Sequence, residues 1–208
     1  MCKPLCDDHS ILLASCQSKH RGKVAVFTAL WNDTLIVIKS DKAKPDYMTL
    51  HWTSNGSKIY PNPQEFQEMI TQSLKINLGI TKKNIFPSLF PFFSDYQRID
   101  SNQMINMWNL AQDFEYVHLM VHKNLNVFPE VLGSCGTFYG IQYAKPLSEL
   151  VIYSDKISHW ISRVHLAKLI LELLALLDSV RDPLHICDVK LEHFGLLEKR
   201  LVILDAGK

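Results

Sequence analysis

The stretch HICDVKLEHFGLLEKRLVILDAGK, residues 185–208, decides the fold. It places a carboxylate at Asp188 and a lysine at Lys190 in a polar loop. An apolar segment, LVIL, then delivers a second carboxylate at Asp205, ahead of Ala206 and Gly207. This is the pattern of a loop followed by a hairpin, each carrying an acid. Either acid alone is also an ordinary cap or turn residue. Their meaning depends on what precedes them.

Immediately upstream, Ser158 to Val180 reads as one helix, apolar nearly all round through Leu169, Ile170, Leu171, Leu173, Leu174, Leu176 and Leu177. That pattern predicts a core helix packed on several sides, ended by Asp182 and Pro183. Before it, VFPEVLGS and TFYGIQYA read as strands, and about Asn102 to His122 as one long helix. The stretch FPSLFPFF is broken by prolines. A helix from Pro63 to about Leu78 shows the stripe Phe66, Met69, Ile70 and Leu74, with Gly79 placed to end it. Residues 41–63, with Pro45, Gly56, Pro61 and Pro63, read as a loop. Residues 9–40 alternate as ILLAS, VAVFTALW and TLIVIKS, with a two-residue turn at Asn32 and Asp33, which predicts a three-stranded antiparallel meander. The fold class is α+β, without internal repeats.

At 208 residues, 47% hydrophobic and 21% charged, the chain has enough apolar content for one sizeable core or two small lobes. A formal net charge of +1 provides no basic field to draw nucleic acid. The most hydrophobic run, LAKLILELLALL, is too short to span a bilayer and carries Lys168 and Glu172. Residues 1–20 lack the apolar core of a signal peptide. Cys2, Cys6 and Cys16 crowd the start and are disulfide candidates; zinc is the competing reading, although no CxxC pair is present. Asn32 in NDT and Asn55 in NGS are glycosylation candidates. Both features point to a secretory compartment.

Phosphoryl transfer from ATP needs a lysine on the phosphates and a carboxylate to hold that lysine. It also needs a carboxylate to accept the hydroxyl proton and an acid for the metal. The chain offers all four in order. Lys39 ends TLIVIK, which looks like the VAIK motif of a protein kinase third strand. Upstream, Gly22 and Val24 fall where the end of the glycine loop and its adenine-packing valine would fall. Glu115 lies on the long helix before the returning strands. Asp188 and Lys190 in ICDVK match the aspartate and lysine of HRDLK, and Asp205 in LDAG matches the metal acid of DFG. A strand-end lysine or a helix glutamate is ordinarily solvated. The joint order is what favours a kinase-like fold.

The segments CKPLC with Cys16, LWNDTLIVIKS, FEYVHLM, VFPEVLGSCGTFYGIQY and HICDVKLEHFGL with VILDAG together resemble the divergent protein kinase domain family, subfamily one. These are cysteine-rich kinase-like proteins of the endoplasmic reticulum, anchored by one N-terminal transmembrane segment. The resemblance implies a kinase-like N-lobe over residues 1–145, with a degenerate EF-hand-like helical insert at about 60–110, and a truncated C-lobe over residues 146–208. It implies ATP with Mg or Mn as cofactor, an unknown lumenal protein or glycan as substrate, and a membrane tie only through an anchor outside this chain. A pseudokinase acting as a lumenal binding or scaffold module is the first alternative, and a small-molecule or glycan kinase the second.

Departures from the kinase pattern qualify the activity. The loop pattern D-x-x-x-x-N requires asparagine as a magnesium ligand where this chain has His193, and imidazole suits softer metals such as manganese. Gln17 and Lys19 replace glycines of the phosphate loop, and Cys187 and Ile186 replace the arginine and histidine of HRD. A calcium loop needs alternating oxygen ligands, a central glycine and a closing glutamate. SDYQRIDSNQMIN offers Asp95 and Asp100 without either, so calcium is not expected. After Lys208 no activation segment follows, so the truncated chain alone is expected to be inactive. His118 and His122 in HLMVH, spaced one helical turn apart, lack the glutamate of HExxH and make a weak zinc candidate.

Overall fold

The structure is a computed structural model that describes residues 8–16, 23–41, 50–93, 95–150, 157–179, 184, 186 and 189–205. The expected meander forms: β1 (Ile11–Cys16), β2 (Lys23–Trp31) and β3 (Thr34–Asp41) pair in sequence. Asn32 and Asp33, with φ of 48° and 61°, make the two-residue left-handed turn whose twist suits a hairpin. The strands β6 (Val131–Cys135) and β7 (Phe138–Gln142) return to the far side of β3, giving the order β1-β2-β3-β7-β6. β3 is therefore central, and Lys39 sits between Val26 and Tyr139.

Alternation on β3 separates two environments. Val37, and with it Lys39, faces the main core, whereas Ile36 and Ile38 join Ala29 in a smaller cluster on the opposite face. The main core is closed by helices that enter between β3 and β6. α1 (Pro63–Leu78) begins with Pro63 at its first turn and a capping box between Asn62 and Glu65. It ends, as its pattern predicts, at Gly79, which takes φ 67°. It buries Phe66, Ile70 and Leu74.

Three expectations are corrected. Residues 41–63 are not all loop: β4 (Trp52–Ser54) and β5 (Ser57–Ile59) form a hairpin turned by Asn55 and Gly56. FPSLFPFF contains a short helix, α2 (Ile85–Leu89), tolerated because proline still fits a first turn. The single helix expected over 102–122 is two. α3 (Ser101–Gln112) stops at Asp113, whose φ/ψ of −79°/101° is extended, and α4 (Phe114–Val121) starts from the same residue. Asp113 both closes one helix and caps the next, since its Oδ1 accepts from the Tyr116 N–H.

After β7 the chain makes β8 (Lys145–Pro146), the four-residue α5 (Leu147–Leu150) and the long α6 (Ile157–Asp178). β9 (Phe194–Leu197) and β10 (Arg200–Ile203) then form the expected hairpin, pairing with β8 in a three-stranded sheet. α6 departs from the expectation of burial on several sides. It packs on β10 and buries Leu173 and Leu177, while Trp160, Ile161, Val164, Leu171 and Leu174 lie more than half exposed. Among the described residues its buried positions lie on one side, and the opposite apolar face has no described cover. None of the helices among the described residues is long and apolar enough to cross a membrane.

Candidate functional site

Lys39 and Glu115, 76 residues apart in sequence, meet: Lys39 Nζ lies 2.5 Å from Glu115 Oε1. The two side chains are only 11% and 4% exposed. A buried carboxylate is costly unless a cation and hydrogen bonds satisfy it, so this pair is a built feature and not a surface accident. Lys39 Nζ also donates to the Leu204 carbonyl at 2.7 Å. One ammonium thereby ties the central strand, α4 and the residue just before Asp205.

The end of β10 is fixed for that contact. The Ile203 N–H donates to Val127 O at 2.8 Å and the Leu204 N–H to His193 O at 2.7 Å. Gly195 lies under Leu204: a Cβ there would stand 2.9 Å from the leucine δ-carbons, too close for any other residue unless Leu204 shifts. The Asp205 carboxylate, about a third exposed, projects beside His193, whose Nε2 is 3.9 Å from Asp205 Oδ2. They are two donors only: among the described residues no third His, Cys, Asp or Glu joins them in a group that could hold a metal ion. An imidazole nitrogen and a carboxylate oxygen are donor types that suit a metal of intermediate softness. The Lys39 ammonium is held between the Glu115 carboxylate and the Leu204 carbonyl.

The structure thus brings together Lys39, Glu115, Asp205 and His193. Lys190 lies nearby in sequence with an exposed side chain. Asp188, Cys187, Gly22, Gln17, Lys19, Cys2 and Cys6 lie outside the described residues, as does the side chain of Val24. Cys16 is a free, exposed thiol at the end of edge strand β1, not the bridged cysteine expected. Cys135 on β6 is disulfide-bonded.

Asn32 and Asn55 both stand exposed at hairpin tips. Asp95 and Asp100 serve the backbone: Asp95 Oδ1 accepts from the Gln97 N–H, and Asp100 caps α3 in a capping box with Gln103. His118 and His122 stack at 5.6 Å, and no third His, Cys, Asp or Glu among the described residues completes a metal cluster with them. The sequence reading missed three contributors. They are the Leu204 carbonyl, visible only once β10 is placed, and Asp113 and Tyr116 around Glu115.

Two comparisons with known families cover most of the chain. Residues 107–208 match the protein-kinase domain of FAM69, and residues 1–88 match the family's N-terminal cysteine-rich endoplasmic reticulum domain. The chain belongs to the FAM69 family. No solved structure matches it. In FAM69 terms, β3 and the start of the helical insert fall within the cysteine-rich match, whereas α4, the returning strands and the Asp205 segment fall within the kinase match. The Lys39–Glu115 pair therefore joins the two matched regions. The chain is a divergent kinase-like protein with an endoplasmic-reticulum type N-terminus.

Proposed function

We propose that this FAM69 member binds ATP in the endoplasmic reticulum lumen, with Lys39 on the phosphates, Glu115 holding Lys39, and Asp205 with His193 as metal ligands. The observation that carries the reading is the buried Lys39–Glu115 pair, 2.5 Å long and drawn from strand and helix. A bound magnesium or manganese ion would neutralise charge building on the phosphates. The chain's own residues do the rest. Lys39 supplies a fixed positive charge in a site of low exposure, where it acts more strongly than in water. Glu115 keeps that charge from swinging to solvent. Asp188 is assigned the proton of an incoming hydroxyl on a lumenal protein or glycan, with Lys190 beside it.

The test is thermal stabilisation by ATP with Mg or Mn. Wild type should shift upward, and Glu115→Gln and Asp205→Ala should each lose most of the shift. An undiminished shift in Asp205→Ala would overturn the assignment. His193→Asn should move the preference from manganese toward magnesium. The second reading, a lumenal binding module without transfer, is favoured by one observation: His193 occupies the position where the kinase pattern needs asparagine. It predicts nucleotide-dependent stabilisation with no phosphate transferred to any hydroxyl in either metal.

A further inference from the structure

We infer that the helical insert is a clamp on α4, and that Tyr116 is the positioning residue through which it holds Glu115 against Lys39. The inference rests on reading Lys39 and Glu115 as the nucleotide-holding pair. Tyr116 follows Glu115 directly and is 0% exposed. Its hydroxyl donates to the Leu89 carbonyl at 2.7 Å, the last residue of α2. Its ring stacks on Phe90 at 6.5 Å and tilts against Tyr139 of β7 at 5.3 Å. A single side chain therefore touches the insert on one side and the central sheet on the other. Burial raises the Tyr116 pKa, so the hydroxyl keeps its proton and stays a donor.

The joint below Tyr116 works to the same end. Asp113, 2% exposed, ends α3 and caps α4 through the Tyr116 N–H. α4 is eight residues long, so a tilt at its first turn moves Glu115 directly. A carboxylate whose own helix is pinned at both the cap and the adjacent ring has little freedom to leave Lys39. The insert thus supplies in the same chain what would otherwise be left to a mobile helix: a fixed α4.

The experiment measures acylation of Lys39 by sulfosuccinimidyl acetate in the full chain without nucleotide, read by peptide mass mapping. Glu115→Gln should raise Lys39 labelling about fivefold, the factor equivalent to losing one hydrogen bond. Tyr116→Phe, which keeps the ring and removes the hydroxyl, should raise it by a similar factor, and the double variant should rise no further. Ile70→Val, on α1 of the insert and not part of the Tyr116–Leu89 contact, loses comparable stability and should leave labelling at the wild-type level. Wild-type labelling in Tyr116→Phe, or an equal rise in Ile70→Val, would overturn the clamp. An unchanged rate in Glu115→Gln would instead sink the ion pair on which the clamp depends.

Discussion

His118 shows how much one partly buried side chain can carry. It stands on α4 with Nδ1 buried and without a hydrogen-bond partner. Burial, and then the neighbouring His122, lower its pKa from 6.5 to about 4. Between those values the unfolded chain binds a proton that the folded chain refuses. Stability is therefore unaffected above about pH 6.5, falls as pH drops toward 4, and loses at most about 3 kcal/mol. Melting temperature followed across this range should decline in wild type and decline less steeply in His118→Phe; parallel profiles would remove His118 as the cause. Other residues declared themselves earlier. Lys39 was legible because a lysine ending an apolar strand matches a motif with a known partner type. Glu115 was found by its place before the returning strands. The Leu204 carbonyl was not legible, since a backbone oxygen carries no residue signature and becomes a ligand only by position.

Among the elements, the joint at Asp113 is the instructive miss. The helical period runs through residues 102–122 without glycine or proline, so periodicity alone reads one helix. What breaks it is an aspartate whose side chain suits the start of a second helix, a signal present in Asp113 and Tyr116 but weaker than a proline. The β4–β5 hairpin was missed for the opposite reason. Asn55–Gly56 is a strong turn signal, yet the flanking WTS and SKI segments are too short to show alternation. The two kinds of cap should differ in energy. Asn62→Ala removes an exposed cap and should cost about 1 kcal/mol in denaturant unfolding. Asp113→Ala should cost more, about 2–3 kcal/mol, because it also leaves buried amide groups of the joint unsatisfied. Equal losses would mean that α3 and α4 are not held through Asp113.

Across the whole molecule, the two sequons share one geometry. Asn32 and Asn55 each sit with positive φ on an exposed hairpin turn. The register places Asn32 beyond the Trp31–Thr34 pair, at the opposite end of β3 from Lys39. Five residues of strand separate Lys39 from that pair, about 17 Å. A glycan there would leave the Lys39 side of the sheet open. Protein recovered from the secretory pathway should lose mass on enzymatic deglycosylation, one glycan fewer in each of Asn32→Gln and Asn55→Gln. Unmodified asparagine at both positions would count against lumenal exposure of this domain.

The Lys39–Leu204 contact spans 165 residues. At 5–20 residues per second, a ribosome needs roughly ten to thirty seconds to make the interval between them. Throughout that time β3 exists with its ammonium lacking the Leu204 carbonyl that later receives it. The nascent sheet is thus an early-made half of a lock whose other half arrives late, and folding helpers have that interval in which to act on it.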